Sequence, residues 1–228
     1  MVIEEGIIGG WMIKAVIFDY DGTLADRCKA TSTAYRKYLI KYIINEEVDK
    51  VLLETMVQDL VLWDEFGAGS KRLSFEKFEK RYNYHIDHTH FIDWWIHNAG
   101  KYEPLFPNTL AILNYLKEKY KLAIITNGTV VGQNVKIDST GIRNYFDEVV
   151  ISHVVGIEKP DPRIFKLTIE RLNVKPDEAV YVGDSYHNDI FGAYQAGLKP
   201  IWIWANDGRE NNDGIIRIYD IGELKDIL

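Results

Sequence analysis

The run from Lys14 to Leu24, Lys-Ala-Val-Ile-Phe-Asp-Tyr-Asp-Gly-Thr-Leu, places two carboxylates directly after four apolar residues. Two residues apart on an extended chain, side chains point the same way and their Cα atoms lie roughly 6.6 Å from each other. At that spacing Asp19 and Asp21 can bracket one small anionic group. One carboxylate can attack it while the other handles the proton of the leaving group. Ala15 to Phe18 read as a short, fully buried strand in the middle of a parallel sheet. Ligands of open α/β sheets bind at the carboxyl ends of the strands, so both acids stand where chemistry is done. Gly22 lets the chain turn sharply behind them.

The elements that must position these acids are legible along the rest of the chain. Its 228 residues, 46% of them hydrophobic, are enough for a large core plus a smaller second domain. After Leu24 no strand signal returns until about Lys121, a gap that requires an insertion with structure of its own. Residues 26–103 read as four helices. Tyr35, Leu39, Tyr42 and Ile43 recur at helical spacing, as do Val48, Val51, Leu52 and Met56, then Phe75, Phe78 and Tyr82, then Phe91, Trp94 and Trp95, with Gly100 as a stop. Beyond Pro104 and Pro107 the pattern alternates. Helices are expected over 108–120, 131–140, from the Asp161-Pro162 start onward, and over 188–196. Strands are expected over 122–126, 149–151, 179–183, 201–204 and 215–218. This predicts an α/β fold, a doubly wound parallel sheet formed by residues 1–25 and 104–228, with an inserted helical domain over 26–103.

Four strings bring a family into view. Phe18-Asp19-Tyr20-Asp21-Gly22-Thr23-Leu24 resembles the first signature of the haloacid dehalogenase superfamily, most of whose members are magnesium-dependent phosphatases. Thr126 in Ile-Ile-Thr-Asn-Gly, Lys159 in Glu-Lys-Pro-Asp, and Asp184 and Asp189 in Gly-Asp-Ser-Tyr-His-Asn-Asp follow in the family's order. The resemblance spans about Ile13 to Trp204 and implies a Rossmann-like core with a helical cap inserted after the first signature. It also implies roles. Asp19 is the expected nucleophile, forming an aspartyl-phosphate, and Asp21 the acid and then base. The Thr126 hydroxyl and backbone N–H groups near Asn127 and Gly128 are expected to hold the phosphoryl oxygens, and Lys159 to press that group against Asp19. Mg2+ is expected on Asp184, the Asp19 carboxylate and the Asp21 backbone carbonyl, with Asp189 acting through water or as an anchor.

Electrostatics explains why such a set needs basic members. Asp19, Asp21, Asp184 and Asp189 can carry four negative charges, and a phosphate monoester adds nearly two. One like-charge pair at 4 Å costs about 4 kcal/mol at an effective dielectric of 20. Lys159 offsets one charge and a divalent cation two, and an all-oxygen site with room for waters suits magnesium. The substrate implied is a small phosphorylated metabolite. A phosphomutase and a 2-haloacid dehalogenase are the alternatives, and a silent binding module is a third. Asp21 favours a phosphate ester, whose alkoxide leaving group needs a proton where a halide does not.

Composition bounds the rest. A formal net charge of −7 leaves no basic stripe for nucleic acid. No run approaches the ~20 apolar residues of a membrane span. Acidic Glu4 and Glu5 stand where a signal peptide carries positive charge. Cys28, the single cysteine, fits a reducing compartment, so a cytoplasmic monomer or homodimer is expected. Residues 1–12 read as an extension, and Gly6, Gly9 and Gly10 do not make a dinucleotide loop. His85, His88 and His90 with Asp87 and Asp93 read as polar surface, and Trp94, Trp95, Trp202 and Trp204 as packing. The turn over 64–69, rich in glycine, is the candidate specificity loop, with an ordinary helix connection as the alternative reading.

Overall fold

A computed structural model describes residues 7–8, 11–44, 47–204 and 213–228. The expectations for residues 1–6 and 9–10 lie outside the described residues. The chain divides into two compact units. One comprises Met1–Ala25, Leu105–Val130 and Gly141–Leu228, the other Asp26–Pro104 and Val131–Thr140.

In the first unit six parallel strands form one sheet: β1 Ala15–Phe18, β2 Lys121–Thr126, β3 Glu148–Ile151, β4 Ala179–Gly183, β5 Lys199–Ile203 and β6 Ile216–Ile218. Their order is β3-β2-β1-β4-β5-β6. The chain therefore builds outward from β1 to β3, then crosses back and builds outward on the other side from β4. The order reverses between β1 and β4, the topological switch point at which open α/β sheets hold ligands. Register fixes what meets there. Phe18 pairs with Val182, and the Asp19 N–H donates to the Val182 carbonyl at 2.9 Å, so the residues following β1 and β4 emerge side by side.

Both faces of β1 are buried, as are those of β4, which is why each reads as a continuous apolar run. The Pro162–Leu172 helix covers one face. Asp161 caps it, accepting the Arg163 N–H at 2.9 Å, and Pro162 occupies the first helical position, where a missing N–H costs nothing. Ile164, Phe165, Ile169 and Leu172 all enter the core at about 1.5–3 kcal/mol of burial each, so packing more than propensity holds the helix. The expected regular helix over 188–196 is a wide π-type turn, Tyr186–Phe191, followed by a short helix, Gly192–Gln195. Ser185 governs the difference. Its carbonyl receives the N–H groups of both Asp189 and Ile190, at 2.8 and 3.3 Å, which widens the first turn.

The second unit is helical: Arg27–Tyr38 with a wide last turn through Ile43, Lys50–Trp63, Lys71–Tyr82 and His88–Asn98. Its core is aromatic, built on Tyr35, Tyr38, Phe75, Phe78 and Phe91 with Met56, Val57 and Leu60. The stripe expected for the second helix is displaced. Val51 and Leu52 are exposed, and the buried face is Met56, Val57, Leu60 and Val61. Asp49 caps that helix by accepting from the N–H groups of Val51 and Leu52, which puts both in a first turn clear of the core.

The Val130–Ser139 helix, expected to belong with the sheet, groups with the helical unit from Val131 onward. Ser139 Oγ donates to the Gly100 carbonyl at 3.1 Å, and a Cβ on Gly100 would fall 2.5 Å from Lys136 Cγ. Only a glycine permits that approach. Within the 64–69 turn, Asp64 is fully buried and its carboxylate takes the Lys71 ammonium at 2.8 Å, while Lys71 also lies 4.8 Å over the Trp95 ring. His85 and His88 both turn toward Glu79, which accepts the Ile86 N–H at 2.7 Å. Among the described residues no helix is long and apolar enough to cross a membrane.

Candidate active site

Three strand ends deliver the chemistry. Asp19 follows β1 directly, Thr126 is the last residue of β2 with Asn127 and Gly128 behind it, and Asp184 follows β4. Asp19, Asp21, Thr126, Lys159 and Asp189 are all buried, an arrangement charged groups tolerate only when paired. Lys159 arrives from the loop before the Pro162–Leu172 helix. Its ammonium donates to Asp19 Oδ1 at 2.6 Å, Asp189 Oδ1 at 2.7 Å and the Tyr181 hydroxyl at 3.1 Å. Asn127 holds the Lys159 backbone at both ends, accepting its N–H at 2.9 Å and donating to its carbonyl at 3.0 Å.

Ligand atoms of Asp19, Asp184 and Asp189 lie within 4.8 Å of one another. Asp21, from which only a backbone carbonyl is expected, stands outside that group of side chains. Two glycines make room for the acids. A Cβ on Gly22, at φ +86°, would fall 2.2 Å from Asp184 Oδ2, and a Cβ on Gly183 would fall 2.4 Å from Asp189 Cβ. Asp189 is satisfied on both oxygens, by Lys159 and Tyr181 on Oδ1 and by the Ser185 N–H on Oδ2 at 2.9 Å. Two indoles hold the backbone nearby: Trp202 donates to the Asp184 carbonyl at 2.9 Å and Trp204 to the Gly22 carbonyl at 2.7 Å.

The site is short of positive charge. Burial pushes the Asp19 carboxyl well above its ordinary value; Lys159 opposes that, while Asp189, Asp184 and Asp21 add to it. Burial by itself would depress the Lys159 ammonium, but Asp189 and Asp19 together outweigh it and raise the group. Lys159 is thus firmly protonated among more carboxylates than one ammonium can neutralise. A hard divalent cation on oxygen ligands relieves that imbalance, and the donor set fits magnesium.

The Gly128 N–H, one of the backbone donors in the stretch expected near the phosphoryl group, donates to Ser152 Oγ at 3.0 Å, because β3 ends beside β2 and Ser152 follows it at once. Tyr181, Ser152 and Ser185 were not singled out by sequence reasoning. For Tyr181 a signal existed, a lone hydroxyl in the otherwise apolar strand Ala-Val-Tyr-Val, since a buried phenol needs a partner. Trp202 is half-buried against Tyr186, whereas Trp204, expected to pack, is exposed beside Phe106, and both bond the backbone beside the acids.

With strand order, switch point and acid cluster in place, comparison with known proteins is decisive. The family model for haloacid dehalogenase-like hydrolases matches residues 16–203, and the chain belongs to that family. Within it the chain is an enzyme of the phosphatase branch. It is 34% identical to a glyceraldehyde 3-phosphate phosphatase from Methanothermobacter thermautotrophicus, over 95% of this chain and all of that one. Identity to the protein of the same name from Methanopyrus kandleri is 32%, covering 95% of this chain and 96% of the relative. Among solved structures, a HAD phosphatase from Thermococcus onnurineus shares 30% identity with a TM-score of 0.62, covering 94% of this chain and 97% of that one. The magnesium-bound HAD hydrolase YfnB of Bacillus subtilis, at 24% identity and a TM-score of 0.73 over 94% and 96% of the two chains, shares the fold.

Proposed function

We propose that this protein is a magnesium-dependent phosphatase that hydrolyses a small phosphate monoester through a phosphorylated Asp19. The observation that carries the reading is the buried Lys159 ammonium 2.6 Å from Asp19 Oδ1 at the switch point of the sheet. A protonated cation beside a carboxylate steadies the Asp19 side chain and attracts the anionic group it attacks.

In the first step an Asp19 oxygen forms a bond to phosphorus while the bond from phosphorus to the ester oxygen breaks. Asp21 gives its proton to the departing alkoxide. In the second step Asp21 takes a proton from water as that water attacks the aspartyl-phosphate, releasing inorganic phosphate and restoring the Asp19 carboxylate and the protonated Asp21. Lys159 and the Thr126 hydroxyl hold the phosphoryl oxygens through both steps, and Asn127 keeps Lys159 in place. The carboxylates of Asp19 and Asp184 with the Asp21 carbonyl would hold magnesium, and Asp189, already committed to Lys159, Tyr181 and Ser185, anchors from behind. Magnesium supplies positive charge against the phosphoryl oxygens in what is largely a positioning reaction.

Relatives named for glyceraldehyde 3-phosphate over nearly their whole length make three-carbon phosphates the first substrates to test. The helical unit is proposed to act as the cap that selects among them. Purified protein is assayed on p-nitrophenyl phosphate with magnesium or a chelator, beside Asp19→Asn and Asp21→Asn, and then on glyceraldehyde 3-phosphate, phosphoserine and nucleoside monophosphates. Turnover that needs magnesium and both aspartates supports the reading. Turnover that survives Asp19→Asn refutes it, and release of halide from a 2-haloacid favours the dehalogenase instead.

A further inference from the structure

We infer that Tyr181 is a positioning residue for this reaction, its hydroxyl holding the Lys159 ammonium and the Asp189 carboxylate in one fixed arrangement. The inference rests on the proposed phosphatase reading and names a residue outside the four signatures.

The argument starts from valence. A lysine ammonium has three protons and no acceptor. Lys159 commits all three, to Asp19 Oδ1, Asp189 Oδ1 and the Tyr181 oxygen. When a phosphoryl group reaches Asp19, one of the three must be re-aimed at it. The proton now on Asp19 is the one that faces the reacting atoms, so Asp189 and Tyr181 must keep the other two. An ammonium held by two acceptors keeps one direction for its third proton. Held by Asp189 alone, it is free to swing.

The hydroxyl works in both directions. Its oxygen accepts from Lys159, and its proton goes to Asp189 Oδ1 at 2.9 Å, the same oxygen that takes Lys159. Lys159, Tyr181 and Asp189 thereby close a triangle in which each member fixes the other two. The ring is as constrained as its tip. Tyr181 is fully buried within the sheet, and its ring meets Phe165 edge-on, centroids 5.0 Å apart and planes at 72°. A rigid ring in a packed core carries the hydroxyl with little freedom to lose, which is what a support for a reacting group requires.

The test is Tyr181→Phe, which removes one oxygen and keeps the ring that packs the core. With p-nitrophenyl phosphate and saturating magnesium, kcat per folded molecule is expected to fall about ten- to a hundredfold, the range for a hydrogen bond to a charged group. KM is expected to rise alongside, because an ammonium free to swing also holds the ground-state phosphoryl group less well. Inorganic phosphate binding, followed by calorimetry, supplies the second readout. Tyr181→Phe is expected to weaken it in the native background and to change it less than about twofold when added to Lys159→Gln, since it acts through that lysine. Near-UV circular dichroism gives the folded fraction throughout. A kcat within about twofold of the native enzyme, or an equal loss of phosphate binding in both backgrounds, overturns the inference. Asp19→Asn is run in parallel. Its retention of activity would remove the phosphatase reading itself, whereas an inactive Asp19→Asn beside a fully active Tyr181→Phe removes only the role of Tyr181.

Discussion

The Asn127 side chain brackets the Lys159 backbone, accepting its N–H at 2.9 Å and donating to its carbonyl at 3.0 Å. Two signatures that lie far apart in sequence are therefore one mechanical unit. The amide behind β2 sets where the lysine backbone sits, and the carboxylates set where its ammonium points. Asn127→Ala leaves both backbone groups of Lys159 without these partners. We expect kcat/KM to fall about tenfold and stability to drop by about 1–2 kcal/mol. Asn127→Asp, which keeps the acceptor and loses the donor, should fall between, as urea unfolding and p-nitrophenyl phosphate kinetics will show.

The two glycines beside the acids should fail differently. On Gly22, at φ +86°, an added methyl meets the Asp184 carboxylate, which can move, but also strains the backbone, so Gly22→Ala is expected to raise the magnesium concentration for half-maximal activity by about tenfold or more and to cost about 1–2 kcal/mol. On Gly183 the methyl meets Asp189 at its Cβ, 2.4 Å away, and the side chain cannot swing aside. Gly183→Ala is expected to lower stability by about 1–3 kcal/mol as well. Thermal unfolding with and without magnesium separates the two.

Magnesium binding should be visible in tryptophan emission. Of the six tryptophans, Trp202 and Trp204 donate to the carbonyls of Asp184 and Gly22, residues on or beside the proposed ligands. A titration with magnesium should change the emission, and Trp202→Phe and Trp204→Phe together should remove most of that change. An unaltered titration in the double variant would show that the signal comes from elsewhere.

The helical unit carries a buried ion pair whose two members have unequal consequences. Burial raises the Asp64 carboxyl against the pull of Lys71, and burial lowers Lys71 against the pull of Asp64. Removing one partner strands the other charge, so Asp64→Ala is expected to cost about 3–5 kcal/mol. Replacing both, Asp64→Asn with Lys71→Met, should recover most of it. Chemical denaturation at neutral pH measures each.

Alkaline pH should loosen the same unit through Tyr38 and Tyr82. Burial, aided by Asp87 at Tyr38 and by Asp59 at Tyr82, pushes each phenol up to about 12 from an ordinary value of 10. The unfolded chain then loses these protons first, so the stability they contribute is complete below pH 10 and is lost as pH rises from 10 toward 12. Tyr38→Phe, which leaves nothing to ionise there, should flatten the decline in denaturant midpoint over that interval.

What the chain determined by its sequence alone was the local and the periodic. Four apolar residues ending in Asp-Tyr-Asp-Gly dictate a buried strand with acids at its end, and Asp161-Pro162 dictates where a helix begins. Alternation of strands and helices after Pro107 dictates a parallel sheet, and the order of the signatures brings Asp19, Lys159 and Asp189 into consideration together. What only the tertiary structure decided were partnerships across distance. Lys159 meets Asp19 over 140 residues of chain, and whether Gly128 offers its N–H outward or gives it to Ser152, 24 residues on, depends on how β3 lies beside β2. The face of the Lys50–Trp63 helix that is buried, and the unit with which Val131–Thr140 packs, were decided in the same way. Sequence spacing constrains a side chain's direction on its own element, but a hydrogen bond or a buried face also requires the element opposite, whose position is set by packing of the whole core.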